Sequence, residues 1–328
     1  MTRTIHRLRR SRHAAPILAA LVTLAVVDGA VRLVSTRLPS VEPWPTSDYV
    51  RHEQQMAALR EPLDTLVIGS SIAGVAIRPD DLPAMGVGYN HWLAGPGIRS
   101  LADLARRVLL DRAAPDRVVV GVTMREFNDG PSQLAHYEAM VNSHGFRDET
   151  GTATWIDRAD EALRSASAIA ANRESLRDPV RFVDRLATGR LTPERIGTDG
   201  HLAELGDQVL ADEPPEHVQQ ERDAMARYTF SESGLRALDR LLAECARRSI
   251  VVVVVNLPVS ERFIGFAAGG HDAQSDFEAR VRDVTERRGA TWIDTMNEPW
   301  ADEWFADVSH LNDRGVARLR PRLKGWHP

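Results

Sequence analysis

The sequence predicts an α/β fold: a doubly wound, five-stranded parallel sheet carrying a helical insertion, with an N-terminal transmembrane helix in front of it. Three observations carry this reading. From residue 64 onward, short β-type runs alternate with helical patterns, the rhythm of strands covered by helices. Two of those runs, DRVVVGVT (116–123) and SIVVVVVNLP (249–258), are apolar almost without interruption, as expected of strands buried on both faces of a parallel sheet. The chain also opens with a basic stretch followed by an uncharged apolar one, close to the ~20 residues that span a bilayer.

Taken in order, residues 1–13 (MTRTIHRLRRSRH) hold five arginines and no acid, and fourteen uncharged residues follow in AAPILAALVTLAVV. This reads as a cytoplasmic basic tail and, over 14–34, a signal anchor. The arginine-rich side stays in the cytoplasm, which places the remainder outside. No small-residue cleavage pattern is evident in DGAVRLVS, although a cleaved, secreted form is the alternative. Asp28 and Arg32 must sit at the far interface or find a partner, because charge at membrane depth is costly. Residues 35–60 begin STRLPSVEPWPTSDYV, a Pro- and Ser-rich stretch read as a stalk.

Residues 61–328 form the main domain. Its strand candidates are DTLVIG (64–69), VGYNHWL (87–93), 116–123, 249–258 and ATWIDT (290–295), with helix candidates at about 98–112, 233–248, 273–288 and 312–323. From about 131 to 232 the rhythm breaks into helical, charge-rich sequence without a clear strand, interrupted by the hinge-like ADEPPEHVQQ. This interval is expected to be a helical insertion, either a cap near the active face or an elaboration remote from it.

The composition narrows the function. At 328 residues with 43% apolar and 27% charged residues, the chain can bury a sizeable core. A net charge of −5 leaves no basic footprint for nucleic acid. The single Cys245 lies at helical spacing from Leu238, Leu241 and Leu242, the position of a small buried apolar residue. No intrachain disulfide is possible, no Cys/His set has zinc spacing, and no metal or cofactor is expected.

In open α/β sheets, sites form beyond the carboxyl ends of the strands, and the polar residues fall there. VIGSS closes the first strand, YNHWLAGPG and REFNDG follow the second and third, and FADVSHLNDRG follows the fifth. The Asp307-x-x-His310 spacing lets a carboxylate reach one imidazole nitrogen and leave the other as a base. A serine hydroxyl needs such a base to act as a nucleophile at neutral pH. The Gly69-Ser70-Ser71 turn supplies two serines.

The order Ser, Gly, Asn, Asp-x-x-His resembles the SGNH/GDSL hydrolase superfamily. Its Gly-Asp-Ser block matches Gly69-Ser70-Ser71, which implies Ser71 as nucleophile and puts Ser70 where Asp is commoner. Its second block matches Asn90 and Gly95 in NHWLAG, and its fourth matches Asp307 and His310 in DVSHLN. The third block, Gly-x-Asn-Asp, is met only loosely by REFND: Asn128 is the candidate, with Arg125 or Thr123 as alternatives for that place. The resemblance implies a flavodoxin-like SGNH fold, a Ser71–His310–Asp307 triad, and an oxyanion hole from the Ser71 and Gly95 N–H groups and Asn128. His91 and the pair Trp300 and Trp304 are secondary candidates, as a site residue and as walls of a substrate groove, against simple core packing.

Membrane-anchored relatives of this kind resemble proteins of cell-envelope polymer acylation, such as alginate and cellulose acetylation proteins and the D-alanine transfer (DltD-like) proteins of teichoic acid synthesis. That implies an acyl ester or glycan substrate and, as partner, a multi-span membrane acyltransferase. The alternatives are a simple carboxylesterase or lipase on small esters, and a non-catalytic envelope assembly protein that retains the fold.

Overall fold

Five strands, each within two residues of its expected position, form one parallel sheet: β1 (Thr65–Ser70), β2 (Gly88–Leu93), β3 (Arg117–Val122), β4 (Val251–Asn256) and β5 (Thr291–Asp294). The computed structural model describes residues 2–35, 47–59, 61–83, 86–171, 173–176, 196–202, 205–206, 208–210 and 215–325. The strand order is β2-β1-β3-β4-β5, the flavodoxin-like order, whose direction of winding reverses between β1 and β3. The valine runs of β3 and β4 pair residue by residue, Val118 on Val252 through Val120 on Val254. All six are buried, which explains their lack of alternation.

The helices are α1 (Thr2–Ser35), α2 (Ser47–Ala57), α3 (Ser71–Ala76), α4 (Ile98–Leu104), α5 (Leu110–Ala113), α6 (Pro131–Asn142), α7 (His144–Glu149), α8 (Trp155–Ala166), α9 (Ala168–Ala171), α10 (Arg173–Leu176), α11 (Pro215–Met225), α12 (Glu232–Arg247), α13 (Glu261–Ile264), α14 (Gly270–Arg287) and α15 (Asp313–Lys324). A π turn at Ala105–Leu109 joins α4 to α5. On α12, Leu238, Leu241, Leu242 and Cys245 are buried together, as their spacing requires. Burial pushes the Cys245 thiol up to about 12, so it behaves as an inert apolar group.

The contacts divide the chain into two compact units. One holds the described residues of Pro43–Gly151 and Pro193–Pro328, the other those of Met1–Glu42 and Thr152–Thr192. The interval 131–232, read from sequence as one insertion, is thus divided: α6, α7 and α11 belong with the sheet, while α8, α9 and α10 belong with α1. Of the hinge-like stretch 211–220, residues 211–214 lie outside the described residues, and Pro215 opens α11.

In the smaller unit, Ala15–Leu33 of α1 is long and apolar enough to cross a membrane, and none of it is buried. Its two charged residues have partners. Asp28 accepts hydrogen bonds from the Ser167 hydroxyl at 2.6 Å and the Ile169 N–H at 2.9 Å, and Arg32 donates to the Ala166 carbonyl at 3.1 Å. Asp28 therefore caps the start of α9.

In the larger unit, α2 occupies residues read from sequence as stalk. Tyr49 and His52 are buried, and His52 Nδ1 lies 2.8 Å from the Tyr89 hydroxyl on β2. Burial, then the neighbouring His91 ring, push His52 down to about 2. The prolines that suggested a stalk, Pro39, Pro43 and Pro45, precede this helix in the chain; residues 36–46 lie outside the described residues.

The position of α3 follows from small residues. A Cβ on Gly69 would lie 2.3 Å from the Ala73 Cβ and 3.0 Å from the Gly121 carbonyl oxygen, and one on Gly121 would meet the same Ala73 Cβ at 2.6 Å. The helix thus rests directly on β1 and β3. At its other end the buried Asn90 amide donates to the carbonyls of Ala73 (3.0 Å) and Ile77 (2.7 Å), satisfying acceptors that a helix C-terminus leaves open. Replacing Gly69 with valine forces this contact apart; chemical denaturation of Gly69→Val should show a loss of about 1–3 kcal/mol or more, the range for overpacking a filled core.

Candidate active site

At the carboxyl end of β1 the two serines do different work. Ser70 is 1% exposed, and its hydroxyl accepts the Ile72 N–H at 3.2 Å as the N-cap of α3. Ser71 is the first residue of that helix, where a backbone N–H has no intrahelical acceptor. Its Oγ lies 2.9 Å from His310 Nε2, although 239 positions separate them in sequence.

His310 is held by a loop with few free parameters. The Ala306 N–H donates to the His310 carbonyl at 2.9 Å, and the buried Ser260 hydroxyl donates to the Val308 carbonyl at 2.8 Å. Asn312 then caps α15, accepting the Gly315 N–H at 3.0 Å while its amide donates to the Glu303 carbonyl at 2.8 Å. Gly315 is required where it stands, because a Cβ would lie 2.2 Å from the Trp304 carbonyl oxygen.

Asp307 completes the cluster. His310 Nδ1 is 2.8 Å from Oδ2 and 3.0 Å from Oδ1, and Oδ1 also accepts the backbone N–H groups of Ser309 and His310, each at 2.8 Å. Burial alone would raise the Asp307 pKa, but the His310 charge and hydrogen bond, with the two N–H groups, hold it well below the usual carboxylate range. For His310, burial opposes the charged ring, and the charge and hydrogen bond of Asp307 outweigh it, so its pKa is raised. Nδ1 faces the carboxylate, and Nε2 is left toward Ser71.

All three third-block candidates have partners. The Thr123 hydroxyl donates to Glu126 Oε2 at 2.7 Å and accepts the Arg125 N–H at 3.1 Å, a capping box on a short 3₁₀ turn. The Asn128 amide donates to the Ala224 carbonyl at 2.9 Å, and its Oδ1 accepts the Thr229 N–H at 3.3 Å. It fastens its loop to the end of α11 and the chain beyond. Arg125 pairs with Glu221 through Nε and one terminal nitrogen, at 3.2 and 3.1 Å. Its charge bears on both His310 and Asp307.

Gly95 takes φ +81, and the His136 ring lies against it, with Cε1 3.4 Å from where a Cβ would stand. Burial and then the Arg125 charge lower the His136 pKa, against the opposing pull of the Gly95 backbone. Gly95, Arg125, Asn128, Gln133, His136 and Glu221 line a cavity of about 730 Å³. Sequence reading did not find Glu221 or His136: each is one charged or polar residue among many on a helix, and only the fold brings it to Arg125 or Gly95.

Of the secondary candidates, His91 and Trp300 are buried and Trp304 is half-buried. His91 is buried and stacks on His52 with ring centroids 4.7 Å apart. Trp300 is buried, donates to the Thr295 carbonyl at 2.8 Å and meets Trp304 edge to face. Arg318 of α15 lies over the Trp304 ring. These tryptophans brace the segment leading to Asp307.

The sheet order is that of a doubly wound α/β protein, with Ser71, His310 and Asp307 brought together at its carboxyl edge. A model of the DltD family, described as DltD protein, matches residues 208–322, the stretch that carries α11 through most of α15 and includes Asp307 and His310. Over that stretch the chain is DltD-like, and DltD is an SGNH-like D-alanine transfer protein of the cell envelope. No curated protein matches the chain.

The geometry sets the direction of two titrations. In the folded protein, His310 followed by NMR should titrate above its ordinary 6.5, because protonation gains the Asp307 interaction. In Asp307→Asn the burial cost remains while the compensating charge is gone, so the His310 midpoint should fall below 6.5. An unchanged midpoint would mean that the carboxylate does not govern the ring.

Proposed function

We propose that this chain is an extracytoplasmic serine-dependent acyl-ester enzyme that transfers or removes acyl groups on a cell-envelope glycan. The observation that carries the reading is the line of contacts from Ser71 Oγ to His310 Nε2 (2.9 Å) and from His310 Nδ1 to Asp307 (2.8 Å). In this reading Ser71 Oγ attacks the ester carbonyl and its proton passes to Nε2. The tetrahedral intermediate collapses by breaking the bond to the leaving alkoxide, which takes the proton from His310 and leaves an acyl-enzyme. A second hydroxyl, from water or a sugar, gives its proton to the same nitrogen as it attacks the acyl carbon; the new tetrahedral intermediate collapses by breaking the bond to Ser71 Oγ, which takes the proton back from His310.

The intermediate's oxygen needs donors. The N–H groups of Ser71 and Gly95 are two of them. For the third, Arg125 is favoured over Asn128 and Thr123: it pairs with Glu221 through two of its five N–H groups and keeps the rest, and its charge reaches His310, whereas the other two side chains have given their donors to Ala224 and Glu126. Asn128 remains the family-based alternative.

Arg125, Asn128, Gln133, His136 and Glu221 on the wall of the cavity beside Gly95 offer hydrogen-bonding groups that a sugar or amino-acid ester can use and a long aliphatic one cannot, which supports envelope acylation ahead of a lipase or simple carboxylesterase. By the same resemblance the partner is a multi-span membrane acyltransferase that delivers the acyl group. The N-terminus is cytoplasmic and residues 61–328 lie outside, with α1 as the anchor. A non-catalytic assembly protein retaining the fold is the reading that the loose third block favours.

A fluorophosphonate probe applied to the full chain separates these readings. Labelling is expected for the parent and for Ser70→Ala, and should be abolished in Ser71→Ala; a folded parent that never labels would leave the assembly reading standing. The rate should rise with pH through the raised His310 pKa, since only the neutral ring accepts the proton. Arg125→Ala should lower turnover by about 10²–10³, the loss typical of one oxyanion donor, whereas Asn128→Ala should chiefly lower stability, by about 1–3 kcal/mol. Partition of a released acyl group between water and an added glycan acceptor then distinguishes esterase from transferase.

A further inference from the structure

In the smaller unit the usual sidedness of an amphipathic helix is reversed. Along α8 the apolar residues Trp155, Ile156, Ala159, Ala162, Leu163 and Ala166 recur at the spacing of one face. All six are exposed, Trp155 by 78% and Leu163 by 55%, and no residue of α8 is buried. The half-buried positions are instead charged. Asp157 closes a capping box with Thr154, and Asp160 pairs with Arg164 at 2.8 Å and with Arg173. In water this arrangement turns its oil outward, and the helix gains nothing from its apolar face.

The surroundings of α8 identify a medium for that face. Its last residue, Ala166, accepts from Arg32, and the next one, Ser167, donates to Asp28, both on α1. Asp28 stands five residues before Leu33, the end of the apolar span, hence about 7–8 Å along the helix axis. The C-terminal end of α8 is thereby fixed at the border of the span, at the depth where interfacial helices lie. Trp155 on the apolar face suits the same zone. With Asp157, Asp160 and Glu161 against Arg158 and Arg164, α8 has no basic excess to seek anionic headgroups.

We propose that α8 lies flat in the membrane interface, its Trp155–Leu163 face among the lipids of the leaflet at the C-terminal end of α1. The proposal rests on α1 spanning the bilayer and is independent of the acyl-transfer chemistry. The binding is apolar, so zwitterionic lipid suffices.

The test uses full chain reconstituted in phosphatidylcholine bilayers. Cys245→Ala provides a background for single labels at Leu163→Cys on the apolar face, Glu161→Cys on the polar face and Val22→Cys inside the span, each read with an environment-sensitive fluorophore. The label at 163 should be quenched by doxyl lipid and protected from iodide, the label at 161 the reverse, and the label at 22 should be quenched by lipid. Equal iodide access at 163 and 161 would overturn the proposal, as would a label at 22 that lipid does not reach. A label at 163 shielded from both quenchers would also overturn it, showing instead a second copy or another protein seated on the face. Because labelling can disturb the helix, brominated lipid should in addition quench a tryptophan component of the unlabelled chain that Trp155→Phe removes. Retention of the full quenched fraction in that variant counts against the proposal.

Discussion

Contact between a six-residue helix and the two strands beneath it is the constraint on which the site depends. Helix α3 approaches β1 and β3 so closely that Gly69, Ala73 and Gly121 leave no space for another methyl group. Ser71 is the first residue of this helix, so its position is set by that approach from below and by the Asn90 amide holding the far end. Neither contact is polar chemistry of the reacting kind. Both decide where a hydroxyl stands relative to an imidazole, and a shift of about 1 Å is enough to matter for reactivity.

The second half of the site is stabilised differently. His310 and Asp307 lie on a loop rather than a helix, and loops need many fastenings to hold one geometry. Here they come from the Asn312 cap, the Ser260 hydroxyl and the Trp300–Trp304 brace. The Asp307 carboxylate is itself one of them: two backbone N–H groups fix it before it meets the ring. A single aspartate thus shapes the loop and sets the charge state of the histidine.

Most of the sheet was legible because strand burial writes itself into composition: two valine runs with both faces covered, and glycine turns at strand ends. The preference for Ser71 over Ser70 came from the match of Gly69-Ser70-Ser71 to a Gly-Asp-Ser block; the structure supplies a physical difference, since Ser70 caps α3 and Ser71 opens it toward His310. Three features were not legible. The third-block loop has Thr123, Arg125 and Asn128 within six positions, and only the partners Glu126, Glu221 and Ala224 separate their roles. The stalk reading missed α2, because its stability comes from Tyr89 and the buried histidines rather than from its own propensity. The insertion was read as one piece, since nothing in residues 131–232 announces that α8 to α10 pack with α1; Asp28 and Arg32, costly in an apolar span, were the residues that demanded partners.

The separation of 239 positions between Ser71 and His310 has a temporal side. Ser71 opens the helix that follows the first strand, whereas the ring facing its hydroxyl belongs to the loop after the last. Chain growth is N-terminal first, and long-range contacts form late because their loop entropy must be met before they stabilise anything. The Ser71 hydroxyl therefore stands without its imidazole partner until the sheet has closed through β5 and α15 has docked. Release of that closing segment alone would part the two while the sheet behind them persisted, so under the proposed chemistry reactivity reports the completion of folding rather than its onset.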